Sequence, residues 1–267
     1  MKLWYLGDVT PVFLEPALRY LFVLVASLAV LPASAILIRP DRDDAEYLEM
    51  ATRYLSAVRL EPVDAEGVLI APRWILTDAG NAQQLEDMKP RPRLRIGKGE
   101  HEIQAIYFSD HWVLGLVLLK SAVAGVVSTP LYRADDEAGK TVIMVSHGAT
   151  GMIGGSATSR DNRARAAINT VPSVTSRYFG LQIMPPEEAS DLQGAATYTD
   201  RGSPAYIETK EGIFVAGIAW EPNPDRMPKI MDRNLYIRVS PWVAWIEAVM
   251  LDVARKEIES LLDPERR

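Results

Sequence analysis

The sequence contains no cysteine, only three histidines (His101, His111 and His147) and no excess of basic charge, the net being −6 with an isoelectric point near 5.3. The missing cysteines remove disulfides, thiol nucleophiles and thiolate metal sites together, and leave the redox compartment open. Packing alone must hold the fold. Three histidines limit any imidazole-based mechanism to three bases and starve a zinc site of ligands, so neither a metal nor another cofactor is expected. An acidic chain lacks the field that neutralises a phosphate backbone, so nucleic acid is not an expected partner. What the chain does have is 267 residues at 48% hydrophobic composition, enough to bury the core of one large β-protein or of two packed sub-domains.

The opening 35 residues read as a separate object. From Tyr20 to Leu31 runs the uncharged segment YLFVLVASLAVL, preceded by Arg19 and followed by Pro32-Ala33-Ser34-Ala35. Cation, apolar stretch, helix breaker and small residues follow one another as in a secretory signal, with cleavage expected after Ala35. Counted through Ile38, the charge-free run also approaches the ~20 residues that span a bilayer, so an uncleaved membrane anchor over residues 20–38 is the competing expectation. Either way the folded part, residues 36–250 followed by a C-terminal helical extension over 251–267, is expected outside the cytoplasm, secreted or periplasmic or tethered to a membrane.

Beyond Arg39 short β-type runs alternate with turn residues: Gly67 to Ile70, Trp74 to Thr77, Leu94 to Ile96, Ile103 to Phe108, Val113 to Leu119, Val142 to Val145, Ile213 to Trp220 and Leu235 to Val239. Strands of this length and spacing predict an all-β sandwich or barrel. Asp43-Asp44 before AEYLEMATRYL predicts a short early helix. Ser240-Pro241 is a good cap and first-turn pair for a C-terminal helix, along which Trp242, Trp245, Ile246, Val249, Val253 and then Ile258 recur near helical spacing, with an end expected around Asp263-Pro264. The stretch Gly148 to Ser156 lacks the lysine and hydroxyl ending of a phosphate loop and reads as a surface loop.

Gly67 to Ala82, GVLIAPRWILTDAGNA, resembles the segment around the catalytic histidine in chymotrypsin/trypsin-like serine proteases, with Gly80 at the histidine. Val113 to Leu119 resembles the strand that opens with the triad aspartate, with Val113 in its place. Thr199-Asp200-Arg201-Gly202-Ser203-Pro204 resembles the nucleophile loop and puts Arg201 at the serine. The likeness continues in Val215 to Ile218, Tyr236 to Ser240 and Trp245-Ile246. It implies two packed six-stranded antiparallel barrels with a site between them and a C-terminal helix.

The resemblance also implies a degenerate member, a pseudoprotease. The triad chemistry needs a hydroxyl, an imidazole and a carboxylate, and these positions carry a guanidinium, a hydrogen atom and an isopropyl group. Arginine is not a nucleophile and glycine is no base. Thr199 stands where the family uses a glycine of the oxyanion hole. Arg201 has two readings, a cation presented in the cleft to an acidic partner or a charge neutralised by Asp200 or another acid. Asp200 matches the family residue that pairs with the freed amino terminus, which cleavage after Ala35 would place on Ile36. Ala195 and Ala196 are expected to line a small uncharged pocket below Arg201. The expected function is binding or regulation of an unknown protein or peptide partner. The alternatives are a serine-type endopeptidase rearranged around Ser203 and a membrane-tethered structural partner. Asp110 could supply one triad carboxylate but not a mechanism. His147 reads as a packed or surface residue, His101 and His111 as loop residues beside strands, and Trp74, Trp220, Trp242 and Trp245 as core or rim aromatics.

Overall fold

The computed structural model describes residues 36–155, 157–159, 161–220 and 227–262. Apart from Ile36–Ile38, the segment read as signal or anchor lies outside these residues, as does the end of the predicted C-terminal extension. The chain is mostly β, with two six-stranded antiparallel barrel-like sheets. This arrangement is consistent with a trypsin-like double barrel.

A short strand β1 (Ile36–Ile38) leads to helix α1 (Asp44–Ala51), whose first turn is capped by the Asp43 carboxylate accepting from the Ala45 N–H. The first sheet follows as β2 (Ala57–Leu60), β3 (Ala65–Ala71), β4 (Trp74–Asp78), helix α2 (Ala79–Asp87), β5 (Arg93–Ile96), β6 (Gly99–Phe108) and β7 (Leu114–Leu119). Its spatial order is β2-β3-β4-β7-β6-β5. A crossover leads to β8 (Thr141–Ser146), then β9 (Thr150–Met152), β10 (Ala157–Ser159), β11 (Arg165–Thr170), β12 (Tyr178–Gln182), β13 (Gly194–Ala195), β14 (Pro204–Thr209), β15 (Gly212–Trp220) and β16 (Arg233–Arg238). The second sheet runs β11-β8-β14-β15-β16-β12. Register shifts between Leu69 and Ala71, Ile103 and Ala105, and Ala205 and Tyr206 are the bulges that bend these strands.

Strand composition follows from burial on both faces. On β4, Ile75 points into the first barrel with Leu69, Leu85 and Val117, while Trp74 and Leu76 point to the interface between barrels. On β8, Val142 and Met144 enter the second barrel and Ile143 and Val145 meet the interface. Such strands read as unbroken apolar runs because neither face is wet. Each fully buried side chain of this kind contributes roughly 1.5–3 kcal/mol. Helix α3 (Val243–Leu262) follows a single turn at Ser240–Trp242 and is continuous across residue 250. Its Val253 belongs to the same core cluster as Trp74, and Arg73 donates to the Glu257 carboxylate at 2.9 and 3.0 Å.

Two sequence expectations change. The glycine-rich stretch is not merely a surface loop: its β9 pairs in parallel with β1 and antiparallel with β10, forming a small sheet with β13. His101 is not in a loop either. It lies within β6 and is buried, because Gly99 leaves room for its ring. His111 sits in a single turn after β6 with φ of 62°.

Candidate functional site

Strand β4 ends at Asp78, and its carboxylate caps α2 by accepting from the N–H groups of Gly80 (2.9 Å) and Asn81 (3.4 Å). This local arrangement needs only an acid ahead of a helix start. It aims Gly80 at the junction of the barrels. Val113 arrives at the head of β7, where its carbonyl accepts the Ala79 N–H at 3.1 Å. The loop before β14 brings Arg201 from the second barrel. Gly80, Val113 and Arg201, separated in sequence, thus meet at one place.

Arg201 crosses to the first barrel. Its Nη2 donates to Asp78 Oδ1 at 2.5 Å, with the Asp78 side chain 1% and the Arg201 side chain 17% exposed. A Cβ on Gly80 would stand 2.7 Å from that same Nη2. The guanidinium therefore fills the space a side chain at residue 80 would take. The Arg201 plane also stacks 5.4 Å from the Tyr198 ring centroid. Burial raises the Asp78 carboxyl above its usual range, opposed by the Arg201 charge and the two backbone donors, and its Oδ2 finds no hydrogen-bond partner.

The backbone of the loop is pinned as firmly. The Arg201 carbonyl accepts from the Glu66 N–H (3.1 Å) and from Asn81 Nδ2 (2.9 Å). Gly202 has φ of +84°, and a Cβ there would lie 2.1 Å from the Glu66 carbonyl oxygen. Only glycine fits so close an approach. Ser203, next in the loop, is 1% exposed and its carbonyl accepts from Ala219. Its hydroxyl faces the buried phenol of Tyr236.

Thr199 accepts the Ala149 N–H at 2.7 Å through its hydroxyl, which also bonds the Thr197 hydroxyl. Asp200 is buried and accepts from the Thr197 N–H (2.6 Å) and hydroxyl (2.8 Å), closing a capping box over the single turn Tyr198–Asp200. Ala195 is fully buried on β13 against Leu37, and Ala196 exchanges hydrogen bonds with the Asn234 amide. Ile36 is fully buried with φ of 63° and pairs with Thr150; Gly148, two residues earlier, lies against the Asp200 carboxylate. Ile36 and Asp200 so belong to one neighbourhood. Asp110 is exposed on the turn with His111, away from this cluster's hydrogen bonds.

Glu66 escaped the sequence reading, and nothing in the sequence signalled that His147, read as a packed or surface residue, would meet it. Glu66, on β3, has its Oε2 3.0 Å from His147 Nδ1, on the segment after β8, so a second polar bridge joins the barrels. Burial raises the Glu66 carboxyl, against the pull of His147. Burial by itself lowers the imidazole, but the Glu66 charge and hydrogen bond outweigh it and leave His147 raised. The available signal was an acid interrupting the apolar run of Gly67 to Ile70 at its edge. Asp78 carried a signal too, as a helix cap.

The space left beside Arg201, bounded by Asn81, Gln84, Tyr198 and Thr199, is only about 140 Å³. Ligand pockets usually measure ~300–1,000 Å³. A larger open basin of about 770 Å³ lies over β2, the β5–β6 turn and His147. Comparison with known proteins finds no matching family model and no matching curated protein.

Proposed function

We propose that this chain is an exported, trypsin-like double barrel that does not hydrolyse peptides and acts by binding a protein or peptide partner. One observation carries the reading: the guanidinium of Arg201 occupies the space over Gly80 and is held there by Asp78. A cation that cannot lose its proton stands where an imidazole would have to take one, and that same arginine holds the position of the resembling motif's serine. The order of the resembling segments and the barrel-like sheets support the family; Arg19, the apolar run and the small residues to Ala35 support export. The burial of Ser203 speaks against a rearranged nucleophile.

The test is hydrolysis of an unfolded protein substrate by the full chain, with a serine-reactive phosphonate label in parallel and Ser203→Ala as control. The expected result is neither turnover nor labelling from folded protein. Turnover and labelling that vanish together in Ser203→Ala overturn the reading.

A further inference from the structure

We propose that the partner is engaged not at the remnant cleft but in the basin over β2 and β5, and that this basin takes an extended acidic peptide segment. The inference rests on the reading of the chain as a binding module. Three observations carry it: the size of the basin, its charge and its apolar floor.

At about 770 Å³ the basin holds several side chains, whereas the space at Arg201 holds none larger than a few atoms. Its walls come from both barrels. Arg59 on β2, Arg95 on β5 and Lys98 in the β5–β6 turn supply three cations, and His147 stands on the opposite side. Glu61 is the acid among the lining residues. Arg59 is already committed, to Asp64 at 2.8 Å and to the Asn162 amide. Arg95 and Lys98 are exposed and make no ion pair among the described residues. These two exposed cations, without an ion-pair partner among the described residues on a chain of net charge −6, favour an acidic ligand at this place.

The floor explains why the ligand is a peptide and not a bare polyanion. Leu55, 60% exposed, and Val126 offer apolar surface between the cations. In the sheet, β2 and β5 are the two terminal strands, and among the described residues they face each other where the barrel closes beneath the basin. Apolar steps and flanking cations match an extended segment that alternates acidic and apolar side chains.

The test uses a fluorescent peptide of roughly eight residues, about 26 Å when extended, alternating glutamate and leucine, titrated against the full chain by anisotropy. Saturable binding is expected, about tenfold weaker for the Arg95→Glu/Lys98→Glu variant and for the glutamine version of the peptide, and weakened in roughly 0.5 M salt. Both substituted residues are exposed, and an unchanged melting temperature shows that the variant folds. Equal affinity of the variant, equal affinity for the glutamine peptide, absence of saturable binding, or binding of a sulfated polysaccharide in preference to the peptide each overturns the site. Bound peptide that is then cut overturns the non-catalytic reading and leaves the site standing. A silent hydrolase that also ignores the peptide does the reverse.

Discussion

The Arg201 guanidinium and a side chain at Gly80 are mutually exclusive, since an ideal Cβ on the glycine stands 2.7 Å from Nη2 and 3.0 Å from Asp78 Oδ1. The guanidinium tip can swing away, so the clash itself is cheap; what is lost is the ion pair. Gly80→Ala is therefore expected to cost about 2 kcal/mol, and less than about 0.5 kcal/mol when Arg201→Met is already present. Urea denaturation of the four proteins measures the coupling, and additive effects would contradict the geometry.

Arg201→Met alone leaves a carboxylate with no counter-charge in a site 1% exposed, a loss of about 3 kcal/mol at pH 7. The sign of its pH dependence follows from Asp78, whose folded-state value lies above 3.8 because of burial. The folded chain then holds the proton more tightly than the unfolded chain, so this group's contribution falls as pH rises from about 3.8 through the raised value. Without Arg201 that value climbs further. The deficit of the variant should shrink on acidification from pH 7 towards the raised value; a deficit independent of pH would show that Asp78 is not the partner.

His147 gives a slope of the same sign at higher pH. Its folded-state value is raised above 6.5, so the stability it brings is complete below 6.5 and is lost as pH rises through the raised value. Melting temperature should decline across that interval in the native protein and stay flat there in Glu66→Gln. His147→Gln, which strands a buried carboxylate, should cost about 3 kcal/mol at neutral pH.

Gly202→Ala tests contact between the barrels. Its Cβ would meet backbone, at 2.1 Å from the Glu66 carbonyl oxygen, as well as Thr77 Oγ1 at 2.4 Å. Backbone does not swing aside, and a loss of at least about 3 kcal/mol is expected. Gly125 shares a positive φ, +76°, but nothing lies within 4 Å of its Cβ position. Gly125→Ala should cost about 1 kcal/mol, the backbone share alone. Similar losses at both sites, by urea denaturation, would place the effect in φ and not in the clash.

The sequence made the doubly buried strands visible, because β3, β4, β7, β8 and β15 carry unbroken apolar runs. It hid β11, where Arg165 is fully buried in a strand that also carries Asn169; its guanidinium is held by Asp161 (3.1 Å), four residues earlier, and by Asp44 (2.5 and 2.6 Å), a partner no local pattern foretells. The glycine-rich β9 was hidden too, since its pairing with β1 is set by a strand more than a hundred residues away. At the site, the replacement of imidazole, carboxylate and hydroxyl was legible from residue identity. The destination of Arg201 was not: Asp200, adjacent in sequence, serves the Thr197 cap, and the guanidinium reaches Asp78 across the barrels. Which acid a long cation finds is decided by folding distance, not by sequence distance.

The left-handed backbone at Ile36 bears on timing. Ile36, Leu37 and Ile38 are gripped on one side by β9 and on the other by β13, and all three are buried. A processing enzyme that cuts after Ala35 must hold the following residues in its own extended groove, and in the finished protein those residues are already claimed. Were the exported chain of our proposal cut after Ala35, removal of the leader and closure of this small sheet would compete for the same three residues, and the cut would have to precede that closure.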